Sequence, residues 1–370
     1  MDQAQSWARR LAVVAVMMLV LAAAWESEAQ AAEVVAGAAG AACQITLKGP
    51  IAAGDSEKLK SAFDALPSEF GGESTRLCLN SPGGDYYEGL SMIWMMLRRT
   101  NVATIVDRGA ECFSACAFMF LAGNTPASED GEMAPDRTLD AGGTLGFHAP
   151  YLTTPEKTGS TAVSDETFRQ GVSAIAQMLE IDRRELFPRG LLAKALQVGP
   201  GFLLYIDTIE KIGVWSIKLK GYRRPAQLTD TMLDQACRNK DVWTNYSHSF
   251  LGRPADDPDQ LHGISQSDFP EIRGEGKPIK LVNGKFRLVL DLFGHEATNN
   301  CIVDVYSDAK NGLFLSLAMA PVETPPTEPD QFALDVTSRL TDPASLDLVA
   351  APLWYAYAPA TTMKSIAAAP

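Results

Sequence analysis

Apolar and polar positions recur along the first half of the chain with two different periods. Residues 43–48 alternate as a half-buried strand does and stop at Gly49-Pro50. Residues 55–66 then shift to helical spacing, with Leu59, Phe63 and Leu66 on one face. Residues 76–80 and 102–107 repeat the strand pattern, and 85–99 and 114–121 repeat the helical one. Strand and helix taken in turn predict an α/β class, a parallel sheet with covering helices. Further on, 166–179 and 183–196 read as helices. Residues 124–143 are polar, acidic and rich in Pro and Gly, which predicts a solvated loop long enough to serve as a lid.

The pattern changes beyond residue 225. Asn283-Gly284 stands between two strand-like runs, 279–282 and 285–290, a strong hairpin signal. Runs at 301–306, 313–318 and 353–357 add strands, and together they predict a second, mainly antiparallel β-containing domain over 228–370. Residues 322–330 form a Pro/Glu/Thr loop that carries no recognisable chemistry.

With 370 residues, 46% hydrophobic and 21% charged, the chain has apolar mass for a sizeable core in two domains. Its net charge of -13 argues against a nucleic-acid partner and against docking on anionic lipid. Arg9-Arg10, the apolar run 11–24 and Ala29-Gln30-Ala31 have the three parts of a secretory signal, so cleavage is expected after Ala31. The signal would cover 1–31, a flexible segment 32–42, and the first domain 43–225. The apolar run is short and poorly flanked for a membrane span, and an uncleaved anchor is the alternative to a cleaved signal. Export, to a periplasm or outside the cell, implies an oxidising compartment in which the six cysteines can pair. Cys112 and Cys116, four apart on a helical face, are expected to form one disulfide, and Cys237 and Cys301 a second. No Cys-x-x-Cys is present and the histidines are scattered, so neither a metal site nor a cofactor is expected.

The chemistry concentrates in three stretches. Residues 109–123 pass from strand to helix at Ser114, where a helix leaves backbone N–H groups unpaired and the dipole is positive. A nucleophile in acyl transfer sits at such a junction, although a serine that merely caps its helix sits there too. Upstream, a strand ends in Asn80-Ser81-Pro82-Gly83-Gly84, whose glycines let backbone N–H groups approach a ligand. Downstream, Gly146-Phe147-His148-Ala149-Pro150 carries the one histidine before His248. In this order they offer an oxyanion donor, a nucleophile and a base.

These motifs resemble the proteolytic subunit of the Clp protease, and more distantly the signal peptide peptidase and crotonase groups of the same fold. The resemblance covers about residues 43 to 220. It implies a ClpP/crotonase-like fold and a serine peptidase in which Ser114 attacks a peptide carbonyl, His148 takes its proton, and the N–H groups of Gly84 and Ala115 receive the oxyanion. It also implies a closing helix at 204–214 and an acid shortly before it, but Gln197-Val198-Gly199-Pro200-Gly201 contains none. Asp182 is the preferred substitute and Asp207 the other, with a peptide carbonyl or a water able to replace the acid in part. Alternatives are a Ser-Lys peptidase with Lys157 as base, a catalytically silent binding or assembly module, and a crotonase-like acyl-group enzyme. Export removes any ATP-driven unfoldase as a partner, so the expected substrates are peptides or unfolded protein segments. The fold is also one that often forms homo-oligomers.

Overall fold

A computed structural model describes residues 31–37, 41–66, 74–99, 101–127, 133–150, 169, 171–177, 180, 186–199, 201–245, 271–272, 278–280, 286–293, 298–308, 312–321 and 349–369. In chain order the first elements are β1 (Glu33–Ala36), β2 (Ile45–Lys48), α1 (Asp55–Asp64), β3 (Thr75–Asn80), α2 (Tyr86–Arg99), β4 (Val102–Val106), β5 (Glu111–Phe113) and α3 (Ala115–Leu121). There follow β6 (Asn124–Pro126), β7 (Met133–Pro135), β8 (Arg137–Asp140), β9 (Thr144–Phe147), α4 (Arg189–Gln197), β10 (Leu204–Tyr205), α5 (Ile209–Val214) and β11 (Lys218–Lys220). Residues 171–177 are also helical.

The chain is a mixed α/β protein. β2, β3, β4, β8 and β11 lie side by side and parallel, with β1 antiparallel on β2, and β6 and β7 antiparallel beyond one end of β4. Strands covered on both faces read as continuous apolar runs, and all five residues of β4 are buried. Leu59 and Phe63 of α1 and Met92, Ile93 and Met96 of α2 close over this sheet, and every residue of α3 is buried. β1 forms within the stretch expected to be flexible, because Val34 and Val35 suit a strand and Ala32, 1% exposed, anchors its start.

Further expectations are corrected. Residues 204–214 are not one helix: Leu204–Tyr205 is the strand β10, and only Ile209–Val214 is helical, with Thr208 accepting Lys211 N–H at its start. Residues 124–143 are not a solvated loop: the described part forms β6, β7 and β8, and β8 is a buried member of the main sheet. Its first residue, Arg137, is 1% exposed, and its guanidinium donates to the carbonyls of Leu121 (3.3 Å), Leu186 (2.9 Å), Trp215 (2.6 Å) and Ser216 (3.3 Å). Burial pushes this guanidinium down to about 9, which leaves it charged at neutral pH. Residues 353–357 are not a strand either. Pro352 leads into a 3-10 turn, Leu353–Ala356, which buries Leu353, Trp354 and Ala356 together.

The C-terminal part begins with α6 (Asp230–Asn245) and continues through β12 (Glu271–Ile272), β13 (Pro278–Lys280), β14 (Phe286–Phe293), β15 (Thr298–Asp308), β16 (Gly312–Pro321) and β17 (Val349–Ala351). All pairings in this sheet are antiparallel, and β13 pairs with β14, although Lys280 stands opposite Phe286, one residue off the register that a two-residue Asn283-Gly284 turn would set; residues 281–285 lie outside the described residues. Leu315 and Leu317 of β16 pack with Leu233, Ala236 and Cys237 of α6. The chain then returns to the first sheet. Thr362 bridges to Thr208 and Ala367 to Tyr222, around the short helix α7 (Met363–Ile366).

Cys112 and Cys116 are joined, as expected, and so are Cys43 and Cys78. Cys237 is disulfide-bonded as well, whereas the side chain of Cys301, its expected partner, lies outside the described residues. The two described bridges close loops with sequence separations of 35 and 4. Chain entropy assigns about 4 kcal/mol to the longer and about 2 kcal/mol to the shorter. Replacing Cys43 and Cys78 by Ala should therefore lower the unfolding free energy more than replacing Cys112 and Cys116, as measured by denaturant titration.

Candidate active site

A second, smaller sheet brings the three chemical stretches together. β5 and β9 pair in parallel with Phe113 opposite Gly146, and β10 lies antiparallel on β9. Ser81 forms a parallel bridge to Cys112 on the other side of β5, through Ser81 N–H to Glu111 O (2.6 Å) and Phe113 N–H to Ser81 O (3.0 Å). The carboxyl ends of three parallel segments therefore align, and each carries one of the motifs. Pro82-Gly83-Gly84 follows the first, Ser114 the second, and His148 the third. In α/β folds ligands collect at this edge, because backbone groups there have no further strand to pair with.

Ser114 occupies the N-terminal junction of α3 with φ 55° and ψ -125°, a left-handed conformation that a non-glycine residue adopts at a cost of about 1–3 kcal/mol. Its amide is tied to Gly146 O (3.1 Å) and its carbonyl accepts from Phe118 N–H (3.2 Å), so the turn is held from both sides. The side chain makes no capping hydrogen bond. A capping serine takes extended backbone angles and uses its oxygen on the helix. Ser114 does neither, and its half-buried hydroxyl stays available at a sharp strand-to-helix turn. The Cys112–Cys116 bridge spans this turn.

Gly83 and Gly84 have φ of 91° and 144°. A Cβ on Gly83 would stand 2.6 Å from Phe113 O and 2.7 Å from Ser114 Cβ, so only glycine lets this turn lie against the serine. Ser81 Oγ accepts the Gly83 N–H (3.1 Å). Ile51 runs alongside, its N–H donating to Gly83 O (2.8 Å) and its carbonyl accepting from Asp85 N–H (2.9 Å). This parallel ladder uses the groups on either side of Gly84 and leaves the Gly84 N–H directed away from Ile51. Ala115 opens α3, where a helix N–H has no partner inside the helix.

His148 is half-buried, one residue past the end of β9. Its Nδ1 lies 2.7 Å from Ala149 O. A carbonyl only accepts, so this contact puts the proton on Nδ1 and the lone pair on Nε2. Ala149 N–H in turn donates to Val198 O (3.0 Å). The segment that lacks the acid in the sequence is thus joined to the residue after His148, and it supplies a peptide carbonyl there.

Asp182 and Lys157 lie outside the described residues. Asp207 is described and is exposed, with its carboxylate on Lys211 Nζ at 2.6 Å and its backbone carbonyl accepting from Met363 N–H. Beyond these residues, Phe113 and Tyr205 meet edge to face across Gly146, with centroids 6.2 Å apart, next to the serine. Cys43 Sγ, Cys78 Sγ and an Asp107 oxygen cluster within 4.8 Å. The sulfurs are bonded to each other, which removes the thiolate pair that a zinc site would use. Sequence spacing could not have found this cluster, because Cys43 and Cys78 come together only through the pairing of β2 with β3. Compared with known proteins, the chain matches no protein-family model and no curated protein sequence.

Proposed function

We propose that this chain is an exported serine peptidase of the ClpP/crotonase fold, resembling the Clp proteolytic subunit. Ser114 is the nucleophile, His148 the general base, and the N–H groups of Gly84 and Ala115 the oxyanion donors. The observation that carries this reading is the strained Ser114 junction, whose hydroxyl does not cap the helix it precedes. Strain of this kind persists only where surrounding contacts hold it, and it favours a role for the side chain it displays.

Ser114 Oγ attacks the carbonyl carbon of a peptide bond as His148 Nε2 takes its proton. The developing oxyanion is received by two backbone donors, each contributing about 3 kcal/mol. The C–N bond then breaks, the imidazolium protonates the leaving amine, and an acyl-enzyme remains. Water attacks that ester with His148 again as base, which releases the carboxylate and restores the serine. Ala149 O, beside Nδ1, favours the imidazole tautomer that leaves the lone pair on Nε2. The disulfides are compatible with export, and among the described residues no helix is long and apolar enough to cross a membrane.

A second reading, a silent binding module, draws on Asp207 being engaged by Lys211. A fluorophosphonate probe decides between them. Labelling of Ser114, located by peptide mapping, is the expected result, and a folded protein that takes up no probe and cleaves no peptide overturns the peptidase reading.

A further inference from the structure

The amide nitrogen of Ala32 is sequestered. Ala32 is 1% exposed, and its nitrogen donates at 2.9 Å to Oδ2 of Asp55, a carboxylate 0% exposed. The same oxygen accepts Ala52 N–H at 2.8 Å, and the other oxygen pairs with Lys58 Nζ at 2.7 Å. Asp55 is thus fully buried, while Lys58 remains half exposed. The loop that Asp55 fastens through Ala52 is the one that carries Ile51, and Ile51 is hydrogen-bonded to Gly83 O and Asp85 N–H. A continuous set of hydrogen bonds therefore runs from Ala32 N through Asp55, Ala52 and Ile51 to the Gly83-Gly84 turn beside Ser114.

The small residues Ala29 and Ala31 place the expected signal cleavage immediately before Ala32. A processing peptidase would add water across the Ala31–Ala32 amide, the hydroxyl going to the Ala31 carboxylate and the proton to the Ala32 nitrogen. We propose that the α-ammonium so created pairs with Asp55, and that Asp55 is a positioning residue through which maturation fixes the oxyanion turn. This inference rests on the peptidase reading for its catalytic consequence, though not for the ion pair itself.

Before cleavage the nitrogen offers Asp55 one neutral amide hydrogen. Afterwards it offers a full charge, so the carboxylate gains the attraction between unlike charges in addition to the hydrogen bond. Lys58 is free to turn toward water as the new cation arrives, since half of its side chain is already there. The strengthened anchor holds Ala52 and Ile51 in place, so the turn beside Ser114 keeps the one arrangement in which the Gly84 N–H faces the reacting carbonyl.

The test uses the mature chain beginning at Ala32, the same chain with an acetylated N-terminus, and Asp55→Asn. Amide hydrogen exchange over 81–86, reactivity of the Ala32 amine toward a water-soluble acylating reagent, and the rate of fluorophosphonate labelling are compared. The amine of the mature protein should react at least tenfold more slowly than a free peptide amine. Acetylation and Asp55→Asn should each speed exchange at Gly83 and Gly84, and slow labelling, by about tenfold, and the two together should add nothing. Acetylation keeps the test alive where Asp55→Asn fails to fold. Turn exchange that responds in a protein that no form of probe labels supports the coupling and removes the peptidase reading. A reactive amine, or a fall in melting temperature with unchanged exchange at the turn, overturns the inference.

Discussion

Ser114→Ala should abolish fluorophosphonate uptake, and His148→Ala should slow it by about 10²–10⁴-fold, the range for a positioned general base. Both variants should keep the wild-type circular dichroism, since neither residue belongs to the buried core. Ser114 matters for its oxygen alone, so alanine removes the nucleophile, and it leaves a non-glycine residue at φ 55° as before. His148 matters for Nε2, whose lone pair follows from the Nδ1 contact to Ala149 O. Asp207→Asn should change the rate by less than about threefold, as its carboxylate is committed to Lys211 at the surface. Undiminished labelling of His148→Ala would assign the base to another group, with Lys157 the first to replace.

Arg137→Met should destabilise the protein by about 4 kcal/mol or more, measured by denaturant titration, even though Met retains much of the side-chain length. The guanidinium serves four buried carbonyls, and each one left without a donor costs about 1–3 kcal/mol. Those carbonyls belong to the end of α3, to Leu186 ahead of α4, and to Trp215 and Ser216 at the end of α5, so one side chain ties three segments together around β8. Leu121 and Trp215 end their helices, where carbonyl oxygens carry the negative end of the dipole and favour a cation. Arg137→Lys keeps the charge but presents a compact ammonium with three donors on a different geometry, so it should recover only part of the loss. A variant of wild-type stability would mean that the surrounding carbonyls find water.

Periodicity is a local property, and wherever local burial decided the structure the elements were legible. Leu59 and Phe63 on one helical face, the apolar run of β4 and the antiparallel pairing of β13 with β14 follow from spacing alone. Residues 124–143 misled because hydropathy places a charge outside. Arg137 is inside because carbonyls from distant segments converge on it, and no window of sequence contains them. Residues 353–357 misled in the opposite way, since an aromatic run suits a strand but here turns tightly after Pro352 so that Trp354 reaches Trp243, with centroids 5.1 Å apart.

By itself the sequence determined the α/β class, the strand-to-helix junction at Ser114, the Gly83-Gly84 turn and the Cys112–Cys116 pair, because each depends on residues within a few positions of one another. Only the tertiary structure decided that Ser81, Cys112 and Gly146 stand side by side, which puts the three motifs at one edge. It also decided that Cys43 meets Cys78, that Ala149 O lies beside His148 Nδ1, and that Ala32 reaches Asp55. Strand order and register set these contacts, and register follows from how whole elements bury their faces together, not from any residue's neighbours in the chain.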